Sequence, residues 1–139
     1  MIEYFDKIYK NGLHQFQDDI YNRLVCGKKT FIITANPETL MIGKSNREFN
    51  TILCDKETII TPGANQLGYQ IKERVTGVDI AKYLFSVLNK EGKSLYLFGA
   101  KPEVLNTLVK KIKLEYPNIK ISGATDGYVS DKDAVFEQI

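Results

Sequence analysis

The residues of this sequence that could do chemistry lie in loops after short apolar runs. Two of these loops contain glycine: Gly99 and Ala100 follow the run 95–98, and Gly127 follows the run 119–122. An open parallel sheet places its ligand-binding loops at such strand ends. Glycine there lets the backbone approach a ligand closely, and the N-terminus of the next helix offers free N–H groups to an anion. The pattern indicates an anion site, although a glycine at a strand end also suits a simple turn.

Two charged side chains precede and follow another glycine loop. Arg74 lies just before Gly77 and a helix start, where its guanidinium could pair with diphosphate oxygens through two hydrogen bonds; a solvated surface charge is the alternative. Asp79 lies three residues after Thr76, which is the spacing of a capping box. Asp79 therefore has two alternative roles: it caps the start of the helix, or it binds a ligand.

A third polar group follows the apolar run 31–33. Thr34 stands at the predicted strand end, where a β-branched residue is ordinary without any functional role. Asn36 precedes Pro37 and Glu38, and this order is typical of an N-cap, a first helical residue and a favourable negative charge near the helix start. Capping alone explains Asn36, but capping and ligand binding can coexist in one side chain.

The elements that must position these residues alternate along the chain. Short β-branched and aromatic runs predict strands at 30–34, 57–61, 95–98 and 119–122. Apolar periodicity and capping residues predict helices over 15–26, from Pro37, over 45–53, over 76–89 and from Pro102, with a brief helix at 67–72 and a capped one from Ser130. Gly27 is predicted to close the first helix as a left-handed cap. This order predicts an α/β fold: an open, mainly parallel sheet with helices on both faces.

Composition narrows the class of protein. The 139 residues are 43% hydrophobic, which is enough for one domain with its own core over residues 1–139. A formal charge of +2 is too weak for the basic footprint that a nucleic-acid-binding protein needs. Cys26 and Cys54 have no metal-binding spacing, no secretory leader pattern begins the chain, and no apolar run could span a bilayer. We therefore expect a cytoplasmic protein whose only membrane contact is peripheral.

Four segments together resemble the WecG/TagA/CpsF family of bacterial glycosyltransferases. They are Thr34-Ala35-Asn36-Pro37-Glu38, Glu73-Arg74-Val75-Thr76-Gly77-Val78-Asp79, Leu95-Tyr96-Leu97-Phe98-Gly99-Ala100, and Tyr116-Pro117 through Gly123 to Gly127-Tyr128. No single segment is specific, but their joint order and spacing make chance agreement improbable. The resemblance covers about residues 15–135. It implies a Rossmann-like α/β fold, and a single glycosyltransferase-like domain that is truncated at its C-terminus relative to the family.

The resemblance implies an inverting hexosaminyltransferase. Members of the family move an N-acetylhexosamine, typically N-acetylmannosamine, from a UDP-sugar to a polyprenyl-pyrophosphate-linked sugar acceptor, in the synthesis of teichoic acids and surface polysaccharides. They need no metal and no cofactor besides the UDP-sugar donor. By the same resemblance we expect a homo-oligomer at the inner face of the plasma membrane, with no nucleic-acid partner.

The family's residue roles transfer only in part. Thr34 and Asn36 are expected to line the catalytic pocket, but the family's general base, an aspartate in a Pro-Asp-Gly loop, has no counterpart here. Asn65 stands in that loop, and a neutral amide oxygen is too weak a base to accept the acceptor's proton. Asp126, where the family usually has histidine, is the candidate replacement. The expected substrate-binding residues are Arg74, Asp79, Gly99, Ala100, Gly127 and Tyr128.

Several alternatives stay open on these residues. Tyr128 could stack on uracil, or it could be a core aromatic after a turn. The missing aspartate, together with the expected truncation, motivates an alternative to the transferase: a catalytically impaired relative that acts as a nucleotide-sugar-binding or interaction module. A dinucleotide oxidoreductase is disfavoured, because no Gly-x-Gly-x-x-Gly follows a strand and Gly99-Ala100-Lys101-Pro102 breaks that pattern.

Overall fold

The computed structural model describes residues 7–62 and 75–128, together with Ser130, Asp133 and Glu137. The helices and strands of these residues confirm the predicted α/β class. In chain order they are α1 Gly12–Val25, β1 Phe31–Ala35, α2 Pro37–Ser45, α3 Arg47–Cys54, β2 Thr58–Pro62, α4 Gly77–Glu91, β3 Ser94–Phe98, α5 Pro102–Glu115 and β4 Lys120–Thr125. The brief helix predicted at 67–72, and most of the one from Ser130, lie outside the described residues.

The helix ends follow from local side-chain chemistry. Gly27 takes φ +67° just after α1, so the predicted left-handed cap is confirmed. Asn36 caps α2 and Pro37 occupies its first turn, also as predicted. The cap of α3 was not predicted: Asn46 accepts a hydrogen bond from the Phe49 N–H at 3.0 Å. That cap splits what would otherwise be one continuous helical stretch into α2 and α3.

The chain divides into two compact units, residues 1–81 and residues 82–139. In the first unit, β1 and β2 pair in parallel, with Phe31 opposite Thr58 and Ala35 opposite Pro62. Ile8 adds a parallel bridge to Ile60 on β2, an addition that the sequence patterns do not reveal. The core of this unit consists of Ile8, Ala35, Leu40, Leu53 and Ile60, with Ile33, Phe49 and Cys54 packed against it.

In the second unit, β3 and β4 also pair in parallel, from Ser94 opposite Lys120 to Phe98 opposite Thr125. Helix α5 packs on β4 and buries Leu105 and Ile112. Parallel pairing brings the carboxyl ends of the two strands to one edge. Each unit therefore has a strand-end edge of its own, and every candidate residue that the structure describes lies at one of these edges. The assignment of one domain to residues 1–139 stays a prediction.

Candidate functional site

The first strand-end cluster, in the first unit, consists of Thr34, Asn36, Gly77 and Asp79. Thr34 is exposed near the end of β1, and its hydroxyl makes no hydrogen bond within the described part of the chain. A Cβ atom built on Gly77 would lie 3.6 Å from Thr34 Cγ2, so the start of α4 is in contact with the end of β1. The structure thus brings the first family segment and the glycine of the second together.

Asn36 uses one end of its amide and leaves the other available. Its Oδ1 accepts hydrogen bonds from the backbone N–H and from the hydroxyl of Thr39, each at 2.7 Å. The predicted cap is therefore confirmed. No acceptor for its Nδ2 exists among residues 7–62 and 75–128, so this amide can still donate to a ligand. Capping and ligand binding are geometrically compatible in this side chain.

Asp79 is occupied at the start of α4. Its N–H donates to Thr76 Oγ1 at 3.2 Å, and its Oδ2 accepts the Thr76 hydroxyl at 2.8 Å. The predicted capping pair is confirmed, with the difference that the carboxylate accepts from the threonine hydroxyl instead of its backbone N–H. The role of Asp79 in substrate binding stays a prediction.

Asn65 and Arg74 lie outside the described residues, so their roles stay predictions. The residues on either side of their segment are hydrogen-bonded to each other. The Val75 N–H donates to the Pro62 carbonyl at 3.1 Å, and Val75 is fully buried. The chain therefore leaves β2 and returns at the same strand end.

The second strand-end cluster, in the second unit, consists of Gly99, Ala100, Asp126, Gly127 and Tyr128. The two glycine-bearing loops are hydrogen-bonded to each other, because the Gly127 N–H donates to the Ala100 carbonyl at 2.9 Å. Gly99 takes φ +123° and Ala100 takes φ +64°. A residue with a Cβ in the left-handed region carries strain of about 1 kcal/mol or more, and such strain concentrates at functional sites.

Gly127 lies in van der Waals contact with the other loop. A Cβ atom there would lie 3.4 Å from the Ala100 backbone nitrogen and 3.5 Å from the Gly99 Cα. Beside it, the half-buried Asp126 accepts the Tyr128 N–H on Oδ1 at 2.8 Å. Its Oδ2 makes no hydrogen bond to any described residue and is therefore available to a ligand. Tyr128 is 70% exposed, which excludes the core-aromatic alternative and leaves the ring free to stack.

Helix α5 begins at this edge without a side-chain cap. Helices α2 and α4 are capped by Asn36 and Thr76, whereas Lys101 at the N-cap of α5 makes no capping hydrogen bond. The first-turn N–H groups of α5 are therefore not satisfied by a capping side chain and can meet an anion. Glu103 in the same turn opposes an anion, since its exposed carboxylate carries a negative charge.

Two residues at this edge were missed by the sequence reasoning. The hydroxyl of Tyr96 lies 2.6 Å from Oγ1 of Thr125, the last residue of β4. Both residues are half-buried. An aromatic residue opposite a glycine on the neighbouring strand indicates that the ring packs over the glycine. Recognising this pair in the sequence requires the strand register, which shifts at this point of the sheet.

Other features of the described residues are weaker candidates for the functional site than these two strand-end edges. An open cavity of about 560 Å³ lies at the amino-terminal end of β4, away from Thr125, and is lined by residues 89–92 and 117–120. Among residues 7–62 and 75–128, no three acidic, histidine or cysteine side chains come close enough to hold a metal ion. Within the same residues no helix is both long and apolar enough to cross a membrane.

Comparison with known proteins identifies the family. The model of the glycosyl transferase WecG/TagA/CpsF family matches residues 6–139. The chain is 37% identical over 114 residues to the N-acetylglucosaminyldiphosphoundecaprenol N-acetyl-beta-D-mannosaminyltransferase of Bacillus subtilis, across 78% of this chain and 44% of that protein. It is 28% identical over 118 residues to the protein of the same name from Bacillus spizizenii, across 81% of this chain and 46% of that one.

The match to the family model covers the candidate residues and the helices and strands of the fold. The chain spans a little under half the length of the curated relatives it matches, at 44% and 46%. The family model, by contrast, extends over almost every residue, from 6 to 139. The chain therefore belongs to the glycosyl transferase WecG/TagA/CpsF family.

Proposed function

We propose that this chain binds the donor for an inverting glycosyltransferase reaction. The donor is UDP-N-acetylmannosamine, and the acceptor is an N-acetylglucosamine linked to a polyprenyl pyrophosphate, in cell-wall or surface-polysaccharide synthesis. The names of the two relatives state the sugar and an undecaprenyl-diphosphate acceptor. For this chain both substrates are proposals, as are the location at the inner face of the plasma membrane and a homo-oligomeric state.

The second strand-end cluster is the observation that carries this proposal. Two loops, held together by the Gly127 to Ala100 hydrogen bond, lie beside the uncapped start of α5. A helix N-terminus without a side-chain cap is suited to a diphosphate, whose negative charge the helix dipole favours. Lys101, exposed at the N-cap, adds a positive charge. Tyr128 offers an exposed ring on which uracil can stack.

The reaction asks little more of the donor site than charge stabilisation. The acceptor oxygen forms a bond to the anomeric carbon, while the bond from that carbon to the UDP oxygen breaks and UDP leaves with the electron pair. A diphosphate at the uncapped start of α5 has the charge that develops on it stabilised by the first-turn N–H groups of that helix. In the first strand-end cluster, the Thr34 hydroxyl and the Asn36 Nδ2 make no hydrogen bond to a described residue, so each is available to a ligand.

The acceptor hydroxyl must also lose a proton as it attacks, and Asp126 is the proposed base. Its Oδ2 is the free carboxylate oxygen at the second edge. Removing a general base typically slows a reaction by about 100-fold or more. We therefore expect Asp126→Asn to reduce transfer strongly while leaving UDP binding intact, because the amide keeps the acceptor for the Tyr128 N–H. Asp18→Asn, on the exposed side of α1, is the matched control and should retain full activity.

The absence of the family's aspartate at Asn65 favours a second candidate, a module that binds the nucleotide sugar without turning it over. One experiment separates the two. The chain is incubated with UDP-N-acetylmannosamine and a soluble lipid-pyrophosphate analogue of the acceptor, and product formation and UDP binding are measured in parallel. Transfer that depends on Asp126 supports the enzyme. Binding without transfer supports the module, and the absence of both results contradicts the donor-binding proposal itself.

A further inference from the structure

A register shift in the second sheet places one tyrosine in an unusual position. Leu95 pairs with Ile121, but the next residue, Tyr96, pairs with Gly123, so that Ser122 is an extra residue in β4. The Ser122 hydroxyl donates to the Leu95 carbonyl at 3.2 Å. An extra residue of this kind is a β-bulge, which re-aims the neighbouring side chains and is over-represented next to active sites.

The ring of Tyr96 lies directly over Gly123. A Cβ atom built on Gly123 would come within 2.5 Å of Tyr96 Cε2 and within 2.9 Å of Cδ2. Both separations are shorter than any carbon–carbon van der Waals contact. Gly123 does not have a positive φ, so the reason for glycine at this position is the space that the ring occupies.

The hydroxyl of Tyr96 connects the ring to the second strand-end cluster. It lies 2.6 Å from Thr125 Oγ1, and the carbonyl of the same threonine accepts the Gly99 N–H at 2.9 Å. Thr125 is thus held by its side chain to β3 and by its backbone to the loop that follows β3. The next two residues of the chain lead to Gly127, which donates to Ala100.

We propose that Tyr96 is a positioning residue for the donor site. Its ring against Gly123 and its hydroxyl on Thr125 hold the end of β4 so that the loops of Gly99 and Gly127 meet in the geometry that binds the diphosphate. Filling space would require only a phenyl ring. The hydroxyl is the part of Tyr96 that acts on the loops, and this inference rests on the proposed function of the cluster.

The test compares single-atom changes through the affinity for UDP, measured by titration calorimetry far below the unfolding temperature. Tyr96→Phe keeps the ring and removes the hydroxyl. Thr125→Val keeps the branched shape and removes the partner, and Thr125→Ser restores that partner. Loss of one hydrogen bond of about 0.5–1.5 kcal/mol corresponds to a fall in affinity of about 2- to 12-fold. We expect that fall in the first two variants and near wild-type affinity in Thr125→Ser.

Tyr116→Phe is the matched control. The ring centroids of Tyr116 and Phe85 lie 5.7 Å apart, and the Tyr116 hydroxyl has no hydrogen-bond partner among the described residues. We expect it to bind UDP like the wild type. The double variant Tyr96→Phe with Thr125→Val should be no weaker than either single variant, since both remove the same interaction.

The outcomes keep this inference distinct from the proposed function. If wild-type protein binds UDP and Tyr96→Phe binds it equally well, Tyr96 has only a structural role and the positioning proposal is overturned. Loss of thermal stability in Tyr96→Phe without a change in affinity leads to the same conclusion. If the wild type itself binds no UDP, the donor-site proposal fails first and this inference fails with it.

Discussion

Asn36 offers a substitution that separates helix capping from ligand binding. Its Oδ1 accepts the N–H and the hydroxyl of Thr39, while its Nδ2 donates to no described residue. Asn36→Ala removes the cap and should destabilise the protein by about 1–2 kcal/mol, which lowers the unfolding temperature by about 3–8 °C. Asn36→Asp keeps an accepting oxygen in a position that the helix dipole favours, so its stability should stay within about 0.5 kcal/mol of the wild type.

The affinity for UDP-N-acetylmannosamine should respond differently to the same two changes. Both variants lose the free N–H donor, so both should bind the sugar nucleotide more weakly, by about 2- to 12-fold for one lost hydrogen bond. Asn46 is the matched control, because it caps α3 through the Phe49 N–H at 3.0 Å and does not follow a strand. Asn46→Asp should change neither quantity.

Thermal unfolding and titration calorimetry on the four proteins, wild type and three variants, decide the matter. The reasoning is refuted if Asn36→Asp binds the sugar nucleotide as tightly as the wild type, because Asn36 is then a cap alone. It is equally refuted if Asn36→Asp is as unstable as Asn36→Ala, because the oxygen is then not the capping group. A loss of affinity in Asn46→Asp would show that the added charge acts at long range.

Three further predictions follow from the described contacts. Glu103→Gln removes a carboxylate from the first turn of α5 and should strengthen UDP binding by about 2- to 5-fold at low salt, an effect that calorimetry at high salt should abolish. Ile60 is fully buried in β2, so Ile60→Ala should lower the free energy of unfolding by about 2–5 kcal/mol in urea titrations. Leu114 is 83% exposed, so the control variant Leu114→Ala should change that free energy by less than about 0.5 kcal/mol. Burial, followed by the hydrogen bond to Asp19, raises the pKa of Tyr9 above its ordinary value of about 10. The stability that this shift provides is complete below about pH 10 and is lost as the pH rises toward the higher folded-state pKa. Tyr9→Phe should therefore flatten the decline in the free energy of unfolding measured between about pH 9 and pH 11, and an unchanged decline would contradict the assignment.

Features encoded in a few adjacent residues were predictable from the sequence. The caps at Asn36 and Thr76, the left-handed Gly27 and the four strands each follow from neighbouring side chains, and the structure confirms them. Parallel pairing followed from the alternation of strands and helices. The carboxyl ends of parallel strands lie at one edge of a sheet, and the loops of Gly99 and Gly127 meet there.

Features that depend on distant pairing were not predictable. The bridge from Ile8 to Ile60 joins residues 52 positions apart, and no local pattern marks it. The hydroxyl contact of Tyr96 with Thr125 exists only because the register shifts by one residue after Leu95, and a one-residue slip changes which face each side chain occupies. The positive φ of Ala100 is similarly imposed by the hydrogen bonds around it, since alanine has no preference for that conformation.

The central claim is that the edge formed by β3, β4 and the start of α5 binds the nucleotide of the donor. An NMR titration of the chain with UDP, following backbone amide shifts, tests it most directly. We predict saturable shifts for Gly99, Ala100, Gly127 and the first turn of α5, with a dissociation constant between about 1 µM and 1 mM. Shifts confined to the cavity at residues 89–92 and 117–120, or no shifts at all, would contradict it.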